Sequence, residues 1–108
     1  MWLEAVRVPA GAGAGYNPDH LLDAALVSNE LRVRNWRAGD RFWPAHTKAP
    51  RKIKELLEQR HLRGAERKLW PVVVSQDEIV WVRGFPACER LRPRDQGQEA
   101  LVIRESQA

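Results

Sequence analysis

The stretch Leu69-Trp70-Pro71-Val72-Val73-Val74-Ser75-Gln76-Asp77-Glu78-Ile79-Val80-Trp81-Val82 decides the fold. Two apolar runs flank the four polar residues Ser75–Glu78. Branched side chains pack well on a pleated surface, so this spacing predicts a β-hairpin. Neither run alternates with polar residues, and continuous apolarity predicts central strands buried on both faces. Gly84-Phe85-Pro86 then breaks the second strand.

Working outward, Ala100–Arg104 reads as a last strand after the polar turn Arg94–Gln98. Trp2–Val8 reads as a first strand stopped by Pro9. Ala10–Gly15 (AGAGAG) is a flexible loop, not a dinucleotide fingerprint, because Tyr16 stands where G-x-G-x-x-G needs glycine. Asn17-Pro18-Asp19 predicts a capped short helix running through Leu21, Leu22 and Ala25. Leu31–Trp36 alternates with period two, a strand expected to bury Leu31 and Val33. Ala38-Gly39-Asp40 makes a tight turn, Phe42-Trp43-Pro44 resumes extended structure, and Ala45–Pro50 is a loop.

The clearest helix spans Arg51 to His61, with Ile53, Leu56 and Leu57 as its buried stripe. Arg51, Lys52 and Lys54 fall in its first turn, the positive end of the helix dipole, so their placement costs stability and favours a binding role. Glu55 and Glu58 offset part of that cost. Gly64–Arg67 predicts a shorter second helical turn. Short strands with one good helix and one poor one make the class α+β.

At 108 residues and 12.4 kDa the chain suits one domain, with residues 1–30 as a lead-in strand, loop and short helix ahead of 31–108. No apolar run approaches the roughly 18 residues of a membrane span, and no secretory leader is legible. The lone Cys88 excludes an internal disulfide and fits a reducing cytoplasm. Charge is unevenly spread. Residues 31–68 hold twelve Lys/Arg against four Asp/Glu, a formal +8, whereas the remainder holds six against ten, or −4. Such a cluster suits either a polyanion-binding face or the solvated surface of an arginine-rich protein.

Catalytic constellations are missing from the sequence. His20, His46 and His61 lack metal-ligand spacing, and no metal site is expected. His46 reads as a solvated loop histidine or a phosphate contact. Cys88 has no activating neighbour, so a buried or inert thiol is expected. Asp40 is expected to stabilise its turn or to pair with Arg37 or Arg41. Aromatics interleave with the cations, but at least two of Trp36, Phe42 and Trp43 are expected in the core.

Five elements, in order, resemble the C-terminal domain of bacterial tRNA(Ile)-lysidine synthetase. They are Val33-Arg34; Gly39-Asp40-Arg41-Phe42; Arg51-Lys52-Ile53-Lys54; Arg67 before Leu69–Val74; and Ile79–Gly84. The resemblance covers residues 31–93 and, weakly, 17–30. Two departures stand out. Ala45–Pro50 lacks the glycines usual before the basic helix, and the family's N-terminal ATP-pyrophosphatase loop, Ser-Gly-Gly-x-Asp-Ser, does not occur here.

The resemblance implies a sandwich-like α+β domain, similar to one in the phenylalanyl-tRNA synthetase beta chain. It implies a non-catalytic part of a ligase whose N-terminal domain uses ATP and Mg to join lysine to the wobble cytidine of tRNA(Ile). This chain itself would hold no cofactor and would grip the tRNA acceptor stem. Lys48, Arg51, Lys52 and Lys54 would bind phosphates, with Arg34, Arg37, Arg41 and Arg67 widening the patch. The N-terminal catalytic domain is the other implied partner. The competing reading is an inter-domain or oligomerisation module, homodimeric in one form, whose basic face is incidental.

Overall fold

The computed structural model describes residues 2–9, 17–27, 30–94 and 99–106. Strand β8 (Glu99–Ser106) lies between β1 (Trp2–Pro9) and β2 (Leu21–Asp23), antiparallel to both, with Val6 and Leu21 each opposite Val102. The second sheet has the order β3 (Arg32–Asn35), β6 (Pro71–Ser75), β7 (Glu78–Val82). A two-stranded ribbon pairs β4 (Arg41–Phe42) with β5 (Arg51–Lys52), and β5 runs directly into α1 (Ile53–Gln59). Helix α2 (Gly64–Lys68) leads to β6. The architecture is α+β.

One core joins the layers. Leu22 and Leu101 from the first sheet pack in the same cluster as Val72, Val73 and Ile79–Val82 from the second and Ile53, Leu56 and Leu57 from α1. The opposite face of the first sheet buries Val8, Leu21, Ala100 and Val102. The hairpin between Pro71 and Val82 forms as expected, but its loop is only Gln76-Asp77, since Ser75 pairs with Glu78. Both loop residues have positive φ, 48° and 65°, as a two-residue turn matching strand twist requires.

Four expectations change. The helix through Leu21, Leu22 and Ala25 is absent: a 3₁₀ turn at Pro18–His20 leads into β2. Leu21 and Leu22 are both buried, in clusters on opposite faces, which a strand allows for consecutive residues. Val33 does not enter the core but is 57% exposed, lining the groove beside β3, since alternation alone does not say which face of a strand is covered. Of the hairpin strands only β6 is central; β7 is an edge strand, though buried. The basic helix begins at Ile53, not Arg51, since Arg51 and Lys52 are held in β5. Of the three expected first-turn cations only Lys54 is therefore helical.

Ala10–Gly15 and most of the Arg94–Gln98 turn lie outside the described residues. No helix among those described is long and apolar enough to cross a membrane. Leu57 is fully buried in the core that α1 shares with both sheets. Leu57→Ala is expected to cost about 3 kcal/mol, the usual loss for a large-to-small core change, measured by urea unfolding followed by circular dichroism.

Candidate nucleic-acid interface

Pairing sorts the cations more sharply than their positions in the sequence do. Outside residues 31–68, Arg7 pairs with Glu99, Arg83 with Glu105, Arg90 with Glu78, Arg92 with Glu89 and Arg104 with Glu4. Inside it, Arg34 pairs with Asp40, Arg51 with Glu55 and Arg67 with Glu58. Arg60 donates to the Gly84 carbonyl and covers the Phe85 ring at 4.2 Å. Arg32, Arg37, Arg41, Lys48, Lys52, Lys54, Arg63 and Lys68 remain. All eight are exposed, and their side chains make no ion pair or hydrogen bond among the described residues. All lie between residues 32 and 68.

Local structure explains their exposure. Phe42 is buried, so Arg41 turns to solvent on β4. Arg41 stands directly opposite Lys52 in the ribbon, a like-charge pair that destabilises an isolated sheet. Ile53 is buried and Lys54 follows it outward at the start of α1. Lys48 rides on the 43–50 loop. Pro44 of that loop bridges Cys88, Ala45 donates to the Ala87 carbonyl, and the Trp43 indole donates to the Thr47 carbonyl. Lys68 ends α2, whose Arg67 carbonyl accepts the Trp36 indole N–H at 2.5 Å. A groove of about 500 Å³ runs beside β3, lined by Glu30, Arg32, Val33, Arg37, Gln76 and Asp77 among others.

Of the eight cations singled out from the sequence, Arg37, Arg41, Lys48, Lys52 and Lys54 are exposed and unpaired. Arg34, Arg51 and Arg67 are half-buried and held by acids. Arg32, Arg63 and Lys68 join the unpaired set. The sequence counted them as basic but offered no sign that they lack partners. Trp36, Phe42 and Trp43 all pack on the core rather than offering stacking faces. His46 is an exposed loop histidine, as expected, but it is not isolated: its ring is bound at 2.6 Å to Asp19 and its amide donates to Glu89, so it joins the 43–50 loop to two other segments.

Asp40 pairs with Arg34, not with Arg37 or Arg41 as expected. It also holds its turn: its carboxylate accepts both Arg34 Nη atoms at 2.8 and 3.1 Å and the Arg37 amide at 2.7 Å. Burial pushes the Asp40 carboxyl up, but the Arg34 and Arg37 hydrogen bonds outweigh it and hold the group below the ordinary carboxylate range. The His46 hydrogen bond likewise lowers Asp19. Burial pushes the Cys88 thiol up, which suits an inert side chain.

Among the described residues the exposed cations without ion-pair partners all come from residues 32–68, and the sequence match is specific. Residues 31–104 match the family described as the TilS substrate C-terminal domain. The chain belongs to that family. Relatives of this TilS domain include the tRNA(Ile)-lysidine synthase of Symbiobacterium thermophilum, 34% identical over 91% of this chain, and that of Geobacillus kaustophilus, 34% identical over 82%. The enzyme of the same name from Solibacter usitatus is 38% identical over 59% of the chain. The chain spans only 20%, 19% and 14% of those proteins, respectively. A crystal structure of the TilS C-terminal domain superposes with a TM-score of 0.76, at 26% identity, covering 94% of this chain and 79% of that one. An N-terminal fragment of the phenylalanyl-tRNA synthetase beta subunit from Pyrococcus horikoshii shares the fold, with a TM-score of 0.62 at 12% identity over 77% of this chain and 26% of that one.

Because the folded Asp40 and Asp19 carboxyls lie below their unfolded values, the stabilisation they add is present above the unfolded pKa and lost as pH falls through the folded one. Thermal melts from about pH 6 down to about pH 2 should show an acid limb starting near the unfolded aspartate value of about 3.9. Asp40→Asn should be less stable at the upper end and lose less on acidification. An identical acid limb in the variant would exclude Asp40 as a contributor.

Proposed function

We propose that this chain is the non-catalytic tRNA-binding C-terminal domain of a tRNA(Ile)-lysidine synthetase, gripping the acceptor stem of tRNA(Ile). Its partner within the same protein would be the N-terminal domain, which uses ATP to attach lysine to the wobble cytidine. The observation that carries the reading is the segregation of the eight exposed, unpaired cations into residues 32–68 of a TilS-family domain. In this reading ATP and Mg belong to that N-terminal domain and not to this chain. The sequence lacks the Ser-Gly-Gly-x-Asp-Ser loop, and the described residues contain no His/Cys/Asp/Glu group suited to a metal. A reducing cytoplasm suits the single buried thiol.

A duplex stem offers phosphates, 2′-hydroxyls and a wide shallow minor groove, so shape and backbone contacts should dominate its recognition. Lysines and arginines that are exposed and unpaired can exchange counterions for phosphates without first breaking a protein ion pair. Arg41 stands opposite Lys52 and Lys54 follows two residues on, and the repulsion between Arg41 and Lys52 is relieved when a polyanion lies across them.

The test is a titration of the 108-residue chain against tRNA(Ile) and an acceptor-stem minihelix over a range of salt. Neutralising about four phosphates gives a slope of about 3 to 4 in log affinity per log salt, equal for the two RNAs. Lys52→Ala and Lys54→Ala should each lower the slope by about 1 with the fold intact. Unchanged RNA affinity together with an altered oligomer size would instead support the inter-domain or homodimer reading.

A further inference from the structure

We infer that Asp40 is a positioning residue for RNA binding, acting through Arg34 to hold the cation-bearing elements in register, and that Arg34 is a strut rather than a phosphate ligand. This rests on the proposed tRNA-binding reading of the same face. Between residues 31 and 54 Asp40 is the only acid among eight Lys/Arg. By charge alone it is a flaw in a polyanion site, and removing it would improve binding.

The geometry argues the opposite. The side chains of Arg34 and Asp40 are 27% and 16% exposed, and the guanidinium meets the carboxylate as a two-pronged fork. Arg34 Nη1 also donates to the Asn35 carbonyl at 3.0 Å, which commits that group inside the protein. The same Asp40 carboxylate receives the Arg37 amide, closing a turn in which Gly39 has φ 91°. The Asp40 carbonyl receives the Ile53 amide at 3.0 Å, at the first residue of α1. One residue thus ties β3, the turn that presents Arg37, the Arg41–Lys52 ribbon and the start of α1 that presents Lys54. Preorganised cations lose less freedom on binding than loose ones, so the brace aids RNA affinity although it carries the wrong charge.

Three variants of the 108-residue chain test this against tRNA(Ile), with salt slope read beside affinity and circular dichroism reporting the fold. Asp40→Asn keeps the shape, weakens the fork and raises net charge from +4 to +5. Its affinity is expected to fall by about five- to tenfold, the net worth of roughly one ordinary hydrogen bond, and its slope by about 1. Glu66→Gln makes the same charge change at an exposed acid of α2 that has no partner among the described residues, and should bind equally well or slightly better. Arg34→Lys keeps the charge but not the fork, and should also bind more weakly with a shallower slope.

An unchanged or higher affinity for Asp40→Asn, matching Glu66→Gln, would overturn the inference. So would wild-type affinity in Arg34→Lys, or loss of fold in both brace variants, which would assign the pair to stability alone. Failure of the underlying reading looks different. In that case wild-type binding would be absent or insensitive to salt, and Lys52→Ala would change nothing.

Discussion

Phe42 and Ile53 are 2% and 0% exposed, and burying these two side chains turns the cations beside them to solvent. Side chains alternate along a strand, so an inward Phe42 leaves Arg41 outward, and Lys52 opposite it shares that face. The basic face is in this sense a by-product of the core. The ribbon is only two residues long on each side, and it is anchored by the buried Phe42 and by the hydrogen bond from the Ile53 amide to the Asp40 carbonyl at its junction with α1.

That dependence explains which parts of the structure were legible in the sequence. The Pro71–Val82 hairpin, the Ile53/Leu56/Leu57 stripe, the short second helix and the terminal strands could be read because each carries its own periodicity or turn signal. The failures were tertiary. Asn17-Pro18-Asp19 does cap a turn, with the Asn17 side chain accepting from the Asp19 amide, but β8 has an open edge and takes Leu21–Asp23 as a strand. Leu31–Trp36 alternates correctly, yet alternation does not tell which face is covered, and Val33 was assigned to the wrong one. At Arg51-Lys52 the ribbon partner overrode a helical pattern by two residues.

The site was legible as a charge count but not as a set of residues. Twelve cations crowd residues 31–68, and nothing in their order separates Arg34, whose guanidinium is bound to Asp40, from Arg37, whose side chain makes no ion pair or hydrogen bond among the described residues. Pairing is decided by contacts across the fold, such as Arg67 with Glu58 or Arg60 with the Gly84 carbonyl. The fold does not decide it either. The phenylalanyl-tRNA synthetase fragment shares the architecture at 12% identity, so the frame tolerates almost complete replacement of its side chains.

The identity of the unpaired charges carries a further consequence. All four lysines of the chain, Lys48, Lys52, Lys54 and Lys68, are exposed and unpaired, whereas most of its fourteen arginines are engaged within the protein. The guanidinium is a rigid planar fork suited to fixed partners, as in the Arg34–Asp40 and Arg83–Glu105 pairs. The ammonium is a compact, strongly hydrated point charge on a flexible stem, indifferent to the direction of its counterion. A face built half from lysine therefore suits a phosphate backbone whose groups repeat along a helix better than the edges of particular bases. The directional chemistry has been kept for holding the domain together, and the non-directional charge is turned outward.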